Sequence, residues 1–217
     1  MRLYLAFSGE GKTDNRFVPN IINRLISEYM FQNNITAEFS WNIIRRTGSS
    51  KNNILDLCKR ENGFTLVFFH RDSGNDTWED TFNNHLSSAL EIINNDRKER
   101  YLRLIVPVIP VKETEAWMLY DKKLLIDKIG VNLTEQELQL DYKISNIENV
   151  SNPKERIENA IEIYKLKLPV KRRKYSVSIS DLYDEIALEI ELEKLNSSPS
   201  FSALKMSLQE KLDKIFK

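Results

Sequence analysis

Short apolar runs alternate with longer amphipathic ones through the first half of the chain, and this alternation admits few architectures besides βα units around a mainly parallel sheet. Leu3 to Phe7 is the first strand. From Asp14 to Phe31 the residues Phe17, Ile21, Ile22, Leu25, Ile26 and Tyr29 fall at helical spacing, and Thr13 or Asp14 stands where a cap belongs. Thr36 to Ile44 alternates instead, with Ala37, Phe39, Trp41 and Ile43 on one face, and Ser49-Ser50 opens a short helix that ends near Gly63. Phe64 to Phe69 is continuously apolar, as a strand covered on both faces would be. A long amphipathic helix is predicted over 77–98. Leu104 to Val111 forms a fourth strand, whose Pro107 and Pro110 call for an edge position or an early end to pairing. Another helix starts in Glu113-Thr114-Glu115-Ala116-Trp117-Met118-Leu119.

The second half has a different texture. Residues 132–152 are rich in Asn, Glu and Gln with weak periodicity, which predicts loop and short helix. Asn152-Pro153 is a helix start, and helices follow over Ser180 to Leu195 and Ser200 to Phe216. Phe201, Leu204, Leu208, Leu212 and Ile215 give the last of these one apolar stripe with which to dock. The expected organisation is an α/β core over residues 1–130 with a helical elaboration over 131–217.

At 217 residues the chain can bury a substantial core, and its 32 basic and 32 acidic side chains cancel, so no overall field draws in a polyanion. A nucleic-acid contact has to come from a local patch. Lys165, Lys167, Lys171, Arg172, Arg173 and Lys174 form one, beside Tyr175, which can stack on an unpaired base; a solvated loop is the plainer alternative. Arg45 and Arg46 add charge after the second strand. Cys58 is the single cysteine and reads as a small apolar side chain, so no internal disulfide is available. With only His70, His85 and Cys58 as soft ligands, zinc is disfavoured and a magnesium-type carboxylate site is left open. No apolar run approaches membrane-spanning length and the N-terminus lacks a signal peptide's pattern; a soluble cytoplasmic protein is expected.

The polar residues that carry chemistry collect just past the ends of three predicted strands, where open α/β sheets bind ligands. The first group, Ser8-Gly9-Glu10-Gly11-Lys12-Thr13-Asp14, supports two incompatible readings. As a relaxed phosphate-binding loop it has Ala6 in place of the first Gly of G-x-x-x-x-G-K-[ST], and it sets Glu10 against a triphosphate. Alternatively Glu10 is the functional residue, and Gly9 and Gly11 let the backbone turn to expose it. Asp72 at the end of the third strand, with Asp76 nearby, then supplies the further carboxylates to hold a divalent cation.

Glu10-Gly11-Lys12-Thr13-Asp14 resembles the first motif of the TOPRIM domain, E-G-x-[ST]-D, shared by topoisomerases, bacterial primases and nucleases of the overcoming-lysogenization-defect type. The family's second motif is Asp-x-Asp. Here His70-Arg71-Asp72 has His in the first position, or Asp72-Ser73-Gly74 has Gly in the last, so either register is one carboxylate short. Glu113 and Glu115, in an E-x-E-A-W segment, together with Asn152-Pro153-Lys154 and Ser198-Pro199-Ser200-Phe201, resemble the small stand-alone TOPRIM-like proteins found beside ATPases in bacterial and phage-defence gene clusters.

This resemblance implies a TOPRIM-like fold and a Mg²⁺- or Mn²⁺-dependent nuclease, the effector of a defence or toxin system with an ATPase partner, and it admits a homo-oligomer. Glu10 would be base or ligand, Asp72 the principal ligand, and Lys12, with Lys112, a cation near the phosphate; Asp76, Glu113 and Glu115 are further candidate ligands. Lys171, Arg172, Arg173 and Lys174 would meet nucleic acid. The alternatives are a non-catalytic TOPRIM-like binding subunit and a P-loop enzyme using Gly11-Lys12-Thr13. Plainer duties remain open for several of these residues: Glu113 and Glu115 favouring a helix dipole, Asp14 capping a helix, and His70 as a buried hydrogen-bonded side chain.

Overall fold

The computed structural model describes residues 1–44, 51–130 and 133–217. Strands β1 (Arg2–Ser8), β2 (Glu38–Ile43), β3 (Leu66–His70) and β4 (Ile105–Val108) form one sheet in the order β2-β1-β3-β4, with every pairing parallel. Helices α1 (Asp14–Gln32), α2 (Lys51–Leu57), α3 (Trp78–His85) and α4 (Ser87–Asn95) lie between the strands in sequence. After β4 come α5 (Glu115–Met118), α6 (Lys122–Ile129), α7 (Pro153–Lys167), α8 (Val170–Arg173), α9 (Ile179–Glu189), α10 (Leu192–Leu195) and α11 (Pro199–Phe216). The chain is thus an α/β protein of the Rossmann-like kind, consistent with a TOPRIM-like fold.

The sheet separates two apolar clusters because successive strand side chains point to opposite faces. Leu3, Leu5, Phe7, Phe68 and Val106 share the larger cluster with the apolar stripe of α1 and with α6, α7, α9 and α11. Ala6, Val67, Phe69 and Ile105 face the smaller one, which holds Ile54, Cys58, Ala89 and Ile93. Both central strands are therefore sandwiched. The helices after residue 130 belong to the larger face: α9 packs along α1, and α11 lies against β4, where Trp117 meets Phe201 edge-on at 5.5 Å and donates to Ser200 Oγ at 3.0 Å.

β4 is an edge strand, as Pro107 requires, and it ends before Pro110, short of the predicted 104–111 stretch. The predicted helix over 77–98 is two helices. They meet at Leu86, which is fully buried, and Ser87 Oγ donates back to the Asn83 carbonyl at 2.5 Å, a local bond that competes with helix continuation. Ile190, also fully buried, takes extended dihedrals and divides the predicted 180–195 helix into α9 and α10. Arg45, Arg46 and the Ser49-Ser50 helix start lie outside the described residues. Among the described residues no helix is long and apolar enough to cross a membrane.

Candidate active site

Because β1 and β3 are parallel neighbours, the loops that leave their C-terminal ends are neighbours too, and Glu10 meets Asp72 across them. Glu10 Oε2 accepts the backbone N–H of Asp72 at 3.1 Å, and Arg71 Nη1 lies 3.7 Å from Glu10 Oε1. The loop geometry rests on Gly9. A Cβ there would stand 2.6 Å from Asn15 Oδ1 and 2.8 Å from the buried ring of Phe7, so the constraint is space. The backbone bends at Glu10 and Gly11 and turns over Lys12 and Thr13, with neither Gly9 nor Gly11 at a positive φ.

Asp14 does more than begin a helix. It is buried, and its Oδ2 accepts the Gly11 N–H at 2.7 Å while its Oδ1 accepts the Thr114 hydroxyl at 2.9 Å. The only proton of Thr114 is thereby committed, so its oxygen accepts from His70 Nε2 at 3.0 Å and the ring carries its proton on that nitrogen. His70 is fully buried, and the same Nε2 is 3.4 Å from Asp72 Oδ1. One chain of contacts therefore runs from the β1 loop through the β4 loop to β3.

Asp72 bears the main electrostatic load. Burial, then the charges of Asp14, Glu10, Glu115 and Glu113, push its carboxyl up to about 9. Its Oδ1 is buried with no hydrogen-bond donor among the described residues. Glu115, also buried, is pushed upward mainly by desolvation, although Tyr183 on α9 donates its hydroxyl to Oε1 and works the other way. Tyr183 in turn is held well above the usual phenol range by burial and by that bond. Glu113 Oε1 accepts the Lys154 backbone N–H at 2.6 Å, at the first turn of α7, so the Asn152-Pro153-Lys154 segment meets the site through Glu113.

Glu10, Asp72, Glu113 and Glu115 are thus brought into mutual electrostatic range, with Asp14 added. Asp76 is exposed in the turn beyond. Lys12 is exposed on the loop, and Lys112, at a φ of 68°, donates from Nζ to Asn75 Oδ1 at 3.2 Å. Among the described residues no three His, Cys, Asp or Glu side chains already converge as a metal shell. The donor set nevertheless suits a hard cation: all are carboxylates, the others raise the proton affinity of Asp72, and one Asp72 oxygen lacks a donor. Mg²⁺ in particular keeps several waters and takes only one or two carboxylates directly.

The basic segment is less uniform than its sequence. Arg173 donates from Nε to the Leu168 carbonyl at 3.1 Å and from Nη2 to the Leu166 carbonyl at 3.0 Å, closing the end of α7. Lys165 pairs with Glu162 and Lys167 with Glu137. Lys171, Arg172 and Lys174 are exposed, and Lys174 Nζ sits 4.6 Å from the centre of the Tyr175 ring. The helix that follows runs beside α1 in the same sense: Arg16 bonds Ser180 and Asp184, and Arg24 bonds the Ala187 carbonyl. Ser180, at the start of α9, therefore lies beside the first turn of α1, whereas Arg173 closes the end of α7 opposite the Lys154 turn that meets Glu113.

A family model described as a domain of unknown function (DUF4276) matches residues 9–209. The chain belongs to the DUF4276 family. The DUF4276 match takes in Glu10, Asp14, Asp72, Glu113, Glu115 and Tyr183, and so includes the helical segment that supplies Tyr183 as well as the strand ends. No curated protein and no solved structure matches the chain.

Proposed function

We propose that this DUF4276 protein is a TOPRIM-like nuclease that hydrolyses nucleic-acid phosphodiesters with Mg²⁺ or Mn²⁺, working as the effector of a bacterial defence or toxin system with an ATPase partner. The observation that carries the proposal is Asp72: a largely buried carboxyl among Asp14, Glu10, Glu115 and Glu113, with one oxygen lacking a donor. Such clustered negative charge is costly in a protein interior, and a carboxyl perturbed by it is a functional-site candidate. Asp72 and Glu10 would hold the cation, with Glu115 and Glu113 behind them. A divalent cation supplies charge stabilisation to the attacking and leaving oxygens of a phosphoryl group.

The remaining work belongs to the chain. Glu10 projects from the β1 loop with its Oε2 steadied by the Asp72 amide, so its carboxylate is positioned to orient or deprotonate water. Lys12 offers a cation at the mouth of the loop. Lys171, Arg172 and Lys174, with Tyr175, are exposed and suit a phosphate backbone and an unpaired base.

Two alternatives differ in support. Against a P-loop, the Gly11 amide donates to Asp14, and Glu10 and Asp14 put carboxylates where a triphosphate needs donors. A non-catalytic TOPRIM-like binding subunit is favoured by one observation, the buried His70 in the place of a motif carboxylate. Cleavage assays on DNA and RNA with and without Mg²⁺ separate these readings. Glu10→Gln and Asp72→Asn should each lower Mg²⁺-dependent cleavage by a hundredfold or more; full activity in both variants, or ATP binding that depends on Lys12, would refute the nuclease.

A further inference from the structure

Two side-chain atoms beside Glu10 lack hydrogen-bond partners among the described residues, and they are of opposite kinds. Asp72 Oδ1 is a buried acceptor without a donor, and Arg71 Nε is a buried donor without an acceptor. The two residues are consecutive, and the Arg71 amide is fixed to the end of β4 by its bond to the Val108 carbonyl at 2.9 Å. The Arg71 guanidinium reaches Glu10 only loosely, since the 3.7 Å between Nη1 and Oε1 exceeds a hydrogen bond. Its side chain is 20% exposed, so part of the group is open to solvent. A covered arginine normally satisfies its planar fork of donors on a carboxylate, a carbonyl or an anion.

A ligand that offers only one sign of charge leaves one of these atoms unsatisfied. A cation answers Asp72 and leaves Arg71 as it is. An anion alone suits Arg71 but must approach the charges of Asp14, Glu10, Glu115 and Glu113, which oppose it. A phosphate group that arrives with a divalent cation satisfies both. The nearby lysines are poorer candidates for the anion: Lys112 Nζ already has Asn75, and Lys12 is an exposed, flexible point charge without the bidentate fork that matches two phosphate oxygens.

We infer that Arg71 is the residue that holds the substrate's phosphate, and that it does so only when a divalent cation occupies the neighbouring carboxylates, so that cation and phosphate bind with positive coupling. This rests on the nuclease reading above and adds a substrate-binding residue and an order of dependence to it. Reciprocity requires that phosphate strengthen cation binding by the same factor that the cation strengthens phosphate binding.

Calorimetric titration and thermal unfolding of the full chain provide the test, with MgCl₂ alone, inorganic phosphate alone, and both together, all at matched ionic strength. The wild-type protein should bind Mg²⁺ alone and should bind phosphate at least tenfold more tightly with Mg²⁺ than without it. Arg71→Gln should keep the Mg²⁺ response, which also reports that the site is folded, and lose the phosphate response; Arg71→Lys should retain a weakened one. Phosphate binding by Arg71→Gln as tight as in the wild type, or phosphate binding indifferent to Mg²⁺, overturns the inference while leaving the nuclease reading intact. No Mg²⁺ response in the wild-type protein overturns both.

Discussion

At the scale of single residues, Asp72 links the site to stability. Its carboxyl is raised from the ordinary value of 3.8 to about 9, so the folded protein keeps a proton there that the unfolded chain releases near pH 4. The stabilisation from that protonated form is complete below the unfolded pKa and is lost as pH rises toward 9. Asp72→Asn, which cannot ionise, should therefore be the more stable protein at pH 8 by on the order of 2 kcal/mol, a Tm gain of roughly 4–8 °C, and the gap should narrow toward pH 4.5. Added Mg²⁺ should also narrow it, by stabilising the wild type alone. Thermal unfolding across this pH range is the check; a gap that is flat with pH would mean that Asp72 is not held protonated.

Some of this was legible in the sequence, for a simple reason. Glu10 and Asp72 each follow an apolar run, and carboxylates that end neighbouring parallel strands must meet. What could not be seen is which polar residues turn inward. Asp14 and Glu115 carry the ordinary signature of a helix first turn, yet Asp14 is buried under Gly11 and Thr114, and Glu115 is buried under Tyr183. Tyr183 lies 68 residues beyond Glu115, and no local pattern announces such a contact. Arg71 was visible only as the middle of a degenerate motif, and Arg173 as one of a basic run, though its donors serve backbone carbonyls.

Among elements, the β1–α1 loop is tightly constrained. It leaves a strand whose Phe7 is fully buried and enters a helix whose Asp14 holds the Gly11 amide, so the path of residues 9–13 is fixed from both ends. Gly9→Ala introduces a Cβ within 3.0 Å of both Asn15 Oδ1 and the Phe7 ring. Overpacking of this kind should cost about 1–3 kcal/mol in chemical denaturation and should displace Glu10, lowering cleavage more than binding of nucleic acid. Wild-type stability in this variant would mean that the loop has room to move. Element boundaries were the weaker part of the sequence pattern because Leu86 and Ile190 are apolar and buried, which makes a helix interruption look like one more turn of the same face.

For the molecule as a whole, α9 joins the two halves of the chain at the site. It packs along α1, sends Tyr183 to Glu115, and pairs Asp184 with Arg16 at 2.5 Å, so the residues after 130 help to shape the carboxylate cluster. In the proposed function this cluster binds a divalent cation for phosphodiester chemistry. The most direct measurement is a Mn²⁺ titration followed by electron paramagnetic resonance on the wild type, Glu10→Gln and Asp72→Asn. The wild type should bind Mn²⁺ saturably, and either substitution should weaken that binding at least tenfold; binding that is absent in the wild type, or equally tight in all three proteins, would overturn the cation site.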